Sequence, residues 1–128
     1  MANDFFSDIT STALAKTLDG AAARQKAIAN NIANVETPGY KRVYVTFEDQ
    51  LKQVMEQGTG HSRRQGLKEL MPVQRTDLVS AAKPDGNNVN IDAEIADLAK
   101  NVLKQKATTV LLEAKIAMLR AAITEGKR

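Results

Sequence analysis

Ala29-Asn30-Asn31-Ile32-Ala33-Asn34-Val35-Glu36-Thr37-Pro38-Gly39-Tyr40-Lys41-Arg42 closes a long helical pattern and turns the chain sharply. Asn is a poor helix-interior residue because its side chain competes for backbone hydrogen bonds. Asn30, Asn31 and Asn34 are therefore expected to cap the last free carbonyls of a helix and to touch a neighbouring chain. Thr37-Pro38-Gly39-Tyr40 reads as a type II turn, with Pro38 fixing φ at the second position and Gly39 supplying positive φ at the third.

Working outward from this stretch, a heptad seam precedes it: Leu14, Leu18, Ala21, Gln25, Ile28, Ile32 and Val35, in alternating steps of four and three. A second seam lies near the other end: Ile91, Ile95, Leu98, Val102, Gln105, Thr109, Leu112, Ile116, Leu119 and Ile123. Spacing of about 3.5 residues keeps one stripe facing a partner helix, as in a coiled coil. A further stripe of Ala96, Ala99, Leu103, Val110, Ala114, Ala117 and Ala121 widens the apolar arc, which predicts packing on more than one side. A helix from Asp92 to Thr124 would be about 50 Å long at 1.5 Å per residue. A compact domain of this size is roughly 35–40 Å across. Such a helix overhangs its own domain and needs neighbouring copies to cover it. Gly20 marks a kink or a close approach within the first helix, and Gln25, Gln105 and Thr109 are polar seam positions suited to fixing register.

Between the seams the signals are weaker. Residues 40–45 alternate enough for an extended lead-in. Thr46 is placed to cap a short helix carrying Phe47, Leu51, Val54 and Met55 and ending at Gly58. From Gly58 to Pro84 no strong pattern emerges beyond a short strand or hairpin around Val73 to Val79. Asp85-Gly86-Asn87-Asn88 is a turn, and Asn90 or Asp92 can cap the last helix with Glu94 close behind. The expected fold is mainly α: long N- and C-terminal helices paired as a coiled coil, joined by a short, largely irregular middle segment with one short helix and a small β-hairpin. The expected segments are 1–35, 36–90 and 91–128.

Composition narrows the chemistry. At 128 residues, 43% apolar and 26% charged, this is one domain with a net charge of +3. Arg63, Arg64, Lys68 and Arg75 against Glu69 concentrate that excess between His61 and Arg75, in what reads as a solvated loop or a site for an acidic partner. All five aromatic residues, Phe5, Phe6, Tyr40, Tyr44 and Phe47, precede position 48, so nothing in that basic stretch could stack on a base. Without cysteine, disulfides and thiolate metal sites are excluded. His61 is alone, the serines sit in no nucleophile elbow, and Gly58-Thr59-Gly60 lacks the Lys-Ser/Thr ending of a phosphate loop. No enzyme activity, metal or cofactor is expected. No apolar run reaches membrane-spanning length, and the opening Met1–Asp8 carries neither the basic nor the apolar part of a cleaved secretory leader.

The Ala29–Arg42 stretch, Phe47-Glu48, and Asp85-Gly86-Asn87-Asn88-Val89-Asn90-Ile91-Asp92-Ala93-Glu94 together resemble the flagellar basal-body rod family, most closely its proximal rod subunits. The longer distal rod and hook proteins carry large β domains for which this length leaves no room. The resemblance implies a structural subunit of the bacterial flagellar proximal rod that polymerises with other rod proteins into a torque-transmitting drive shaft. It implies export through the flagellar type III apparatus without a cleaved signal, and a final place in the periplasmic part of the basal body. Implied partners are other rod subunits, further copies of the chain, and the membrane ring or export-gate end of the basal body, with no nucleic acid expected. Subunit contacts are expected at Asn30, Asn31, Ile32, Asn34, Pro38, Gly39 and Tyr40 and at Leu98, Val102, Leu112, Ile116, Leu119 and Ile123. The competing reading is a basic coiled-coil adaptor that binds an anionic partner, nucleic acid or a membrane surface, through residues 61–75.

Overall fold

In the computed structural model, residues 8–126 are described; Met1 to Ser7, with Phe5 and Phe6, and the last two residues lie outside them. The order of elements is α1 (Asp8–Ala33), β1 (Val43–Thr46), α2 (Glu48–Gln57), α3 (Gly60–Glu69), β2 (Val73–Thr76) and α4 (Ile91–Glu125). The terminal helices α1 and α4 pack against each other, as the two seams predict. They run antiparallel, because Asn31 meets Glu94 whereas Ala21, earlier on α1, meets Asn101, later on α4. At 1.5 Å per residue α1 is about 39 Å long and α4 about 52 Å. Counting along α1 from the Ala21–Asn101 contact, Asp8 lies level with about Ala114, so the last turns of α4 pass beyond the described part of α1.

The seam on α4 is rotated from the expected one. Its buried residues are Glu94, Asn101, Thr108 and Lys115, recurring every seventh position. Leu98, Val102, Gln105, Leu112 and Leu119 are half-buried beside them. Ile91, Ile95, Thr109, Ile116 and Ile123, expected to face the partner helix, are exposed. One residue is a turn of about 100° on a helix, enough to move a whole row to the flank. On α1, Ala21 and Ile28 are buried and Leu14, Leu18 and Ile32 half-buried, as is Val35 just past its end, but Gln25 is exposed and takes no part in the seam. Gly20 does not break α1. A Cβ there would lie 2.6 Å from the ring of Phe47, so the glycine makes room for that buried ring.

The middle segment is more ordered than expected. Residues 60–69, read as part of a basic loop, form α3. Its start is closed by a capping box, with the Thr59 backbone N–H donating to Ser62 Oγ at 2.9 Å. Its end is satisfied by Lys16, whose Nζ donates to the Leu70 and Lys68 carbonyls at 3.0 and 3.3 Å. Leu67 is fully buried and Leu70 nearly so, while Gly66 lets Val54 of α2 approach. The short strand or hairpin expected around Val73 to Val79 forms as a strand, β2, which pairs antiparallel with β1, Val43 opposite Thr76 and Thr46 opposite Val73. Thr46 therefore belongs to the strand and caps nothing. Phe47 takes the cap position without a side-chain bond, because its ring is buried against α1. α2 ends at Gly58 as expected.

Candidate functional site

The Asn-rich end of α1 lies at the centre of a junction between α1, β1 and α4. Asn31 is fully buried, and all four of its hydrogen-bonding positions are used. Its Nδ2 donates to the Val43 carbonyl at 2.7 Å and to Glu94 Oε2 at 2.9 Å. Its Oδ1 accepts from the Val43 N–H at 2.9 Å and from the Tyr40 hydroxyl at 3.2 Å. Antiparallel strands alternate the edge to which each residue turns its backbone groups. Asp77 N donates to the Arg42 carbonyl, so residues 42, 44 and 46 face β2 and Val43 and Val45 face α1. The carboxamide of Asn31 thus pairs with β1 as a neighbouring strand would, and Arg24 Nη2 covers the Val45 carbonyl at 3.2 Å. Asn31 was expected to cap its helix or meet another chain; the structure turns it inward. Asn34 does cap, donating to the Asn30 carbonyl at 2.8 Å.

Thr37-Pro38-Gly39-Tyr40 forms the expected turn, with Gly39 at φ +72° and Tyr40 N donating to the Thr37 carbonyl at 3.2 Å. The turn then meets the second sequence motif. Asn87 Nδ2 donates to the carbonyls of Asn34 and Thr37 at 2.8 and 2.9 Å. Asn88 accepts from the Arg42 N–H at 2.6 Å and donates to the Asp77 carbonyl at 2.8 Å. Gly39 N donates to the Asp85 carbonyl at 2.8 Å, and Lys41 Nζ to that of Gly86 at 2.6 Å. Asn90 caps α4, its Oδ1 accepting from Asp92 and Ala93. Glu94 does not complete a capping box; its buried carboxylate is held by Arg42 Nε as well as by Asn31. Arg42 Nη2 also reaches Asp97 at 3.2 Å. Burial and then the Glu94 charge push the Tyr40 hydroxyl above its ordinary pKa.

A second charged cluster ties α1, α2 and α4. Arg24 grips both oxygens of Glu48 at 2.6 Å, and Lys104 Nζ donates to Glu48 Oε1 at 2.6 Å. The Arg24 guanidinium first, then Lys104, hold the Glu48 carboxyl down at about 2. Between the clusters, a groove of about 400 Å³ has Arg24, Arg42, Lys100 and Lys104 on its walls. These cations already face Glu48, Glu94 and Asp97, so the groove is an ion-paired surface with no activated nucleophile on it. Among the described residues no group of His, Asp and Glu is placed to hold a metal ion.

The remaining expected contact residues fall into two groups. Asn30, Pro38 and Gly39 are exposed and Ile32, Asn34 and Tyr40 half-buried at the junction. On α4, Leu98, Val102, Leu112 and Leu119 flank the seam, while Ile116 and Ile123 face outward, 42% and 62% exposed. Arg42, Asn87, Asn88, Glu94 and Asn101 were not singled out as contact residues. The heptad interval of Glu94, Asn101, Thr108 and Lys115 was a signal for part of this set, masked by the apolar row one position later.

Comparison with known proteins matches this sequence to a family. A family model described as "Flagella basal body rod protein" matches residues 13–41, which span most of α1, the Asn-rich end and the turn. A protein of Borrelia hermsii named flagellar basal body rod protein FlgB is 41% identical over 98 residues, covering 66% of this chain and 73% of that one. The Bacillus subtilis protein of the same name is 32% identical over 125 residues, covering 89% and 92%. The chain belongs to the flagellar basal body rod protein FlgB family. A Yersinia enterocolitica FlgB, 34% identical over 118 residues, covers 82% of this chain and 86% of its own length. In the FlgB alignments that cover most of the chain, similarity is not confined to the segment that matches the family model. The junction joins two distant parts of the chain, residues 30–42 with residues 85–97.

Proposed function

We propose that the chain is a structural subunit of the bacterial flagellar proximal rod, exported through the type III apparatus without a cleaved signal and assembled in the periplasmic part of the basal body. Its work is mechanical: it passes torque along the rod through contacts with other rod proteins and further copies of itself. One observation supports this reading above the others. Among the described residues, eight of the twelve large apolar side chains left exposed, Ile91, Ile95, Leu103, Val110, Leu111, Ile116, Met118 and Ile123, lie on α4; the other four, Met71, Val73, Leu78 and Val79, lie in and around β2. The eight cover the flank and back of α4, and exposed apolar area of that extent marks a surface for association. In this reading 1–35 and 91–128 form the axial core, and 36–90 is the connector that fixes their geometry.

Complementation of a strain lacking its own proximal rod subunit tests the proposal. Restored motility, and basal-body density in which α1 and α4 pack against neighbouring subunits, is the expected result. Basal bodies that assemble to the hook without incorporating the chain would refute it.

A further inference from the structure

The α1–α4 seam is polar where paired helices are usually apolar. Thr108 spends its hydroxyl on its own helix, donating to the Lys104 carbonyl at 2.8 Å. Asn101 instead reaches across. It is 2% exposed, and its Nδ2 donates to the Ala21 carbonyl at 2.8 Å. Its Oδ1 is buried without a hydrogen-bond partner, a desolvation penalty that a leucine, branched in the same way but somewhat larger, would not incur. A residue retained at a cost to stability has a role that stability does not explain.

The apolar positions discriminate poorly between alternative pairings. Leu98, Leu112 and Leu119 belong to a row spaced by sevens on α4, and Leu14, Ala21 and Ile28 form another on α1. Sliding one helix by seven residues, about 10 Å, brings similar side chains together again. The amide does not tolerate that slide. Ala21 has only a methyl group beside the carbonyl that Asn101 contacts, whereas Leu14 or Ile28 would place a branched side chain there. An unpaired Nδ2 would then join the unpaired Oδ1 in a buried site.

We infer that Asn101 locks the register that the Asn31–Glu94 contact sets one heptad away on α4, and thereby selects which apolar side chains of α4 are presented to neighbouring subunits. A single buried Asn between helices sets register in this way at a cost in stability. The second half of the inference rests on the proposed rod function; the first half stands on this chain alone.

Because the chain has no cysteine, spin labels can be placed at Ala15→Cys on α1 and Lys106→Cys on α4, both exposed. The parent protein is expected to give one narrow inter-label distance. Asn101→Leu is expected to keep its helical signal and to unfold at a temperature no lower than the parent. It should add a second, longer distance population, because two labels that start nearly level are carried about 10 Å apart along the helix axis, and it should lose motility in the complemented strain. Asn101→Ala, which removes the amide without adding bulk, should show the same displaced population, and it alone decides if Asn101→Leu fails to fold. A single parent-like distance in both variants overturns the inference. A displaced population with unimpaired motility would uphold the register role and count against the rod reading instead.

Discussion

Around Asn31 the buried groups are polar; along the outer face of α4, from Ile95 to Ile123, the exposed groups are apolar. At the junction, every hydrogen-bonding position of the central amide has a partner within the chain. On the outer face, apolar side chains have none. A globular protein that completes itself has the opposite distribution. The contrast shows a division of labour: directional polar contacts fix the shape of the subunit, and non-directional apolar area is held for whatever the subunit meets.

Substitutions that act on one region and spare the other sharpen this contrast. The largest effect on stability is expected from Asn31→Ala, which strips partners from Val43 N–H, Val43 C=O and Glu94 together; a loss on the order of 4 kcal/mol should appear in urea unfolding. Gly39→Val follows. A β-branched residue forced to φ +72° meets no steric clash beyond its own backbone, so the loss is the conformational one, about 2 kcal/mol. An unchanged urea midpoint would show that the turn is not needed to hold the junction.

Glu48→Gln is expected to act through pH. The carboxyl is held at about 2 in the folded chain against an ordinary value of 4.5, so its contribution is present above about 4.5 and is lost as pH falls toward 2. The parent should therefore lose stability over that window more steeply than Glu48→Gln. Parallel acid unfolding curves would show that the Arg24–Glu48–Lys104 cluster contributes nothing. The smallest effect on stability is expected from Ile116→Asp on the outer face, within about 0.5 kcal/mol of the parent. Its effect on motility should nevertheless be complete if the proposed subunit contact on α4 includes Ile116. Full motility in that variant would dissolve the contrast between the two regions.

What was legible in the sequence was local chemistry. Pro38-Gly39 announces its turn, Asn90 caps α4, and Gly58 stops α2, because each acts on backbone groups within a few residues. The strand pairing was not legible, since β1 and β2 are thirty residues apart and only tertiary packing joins them. α3 was missed for another reason. With Leu67 its only fully buried side chain and glycines at 60 and 66, it offers almost no apolar period. The seam was misread by one residue because periodicity reports where apolar side chains lie, and on α4 they lie mostly outside. The Asn-rich stretch stood out in the sequence, but the inward direction of Asn31 did not.

The junction also sets an order of events. Arg42 waits for a carboxylate 52 residues later in the chain, Asn31 for the same carboxylate 63 residues later, and the Ala21 carbonyl for an amide 80 residues later. A chain that emerges from its N-terminus cannot finish the end of α1 until Glu94 has appeared, or seat its middle until Asn101 has followed. Residues 21–42 therefore reach their final set of contacts only after residues 94–101 are in place. Their shape is completed by the last third of the chain, late and all at once.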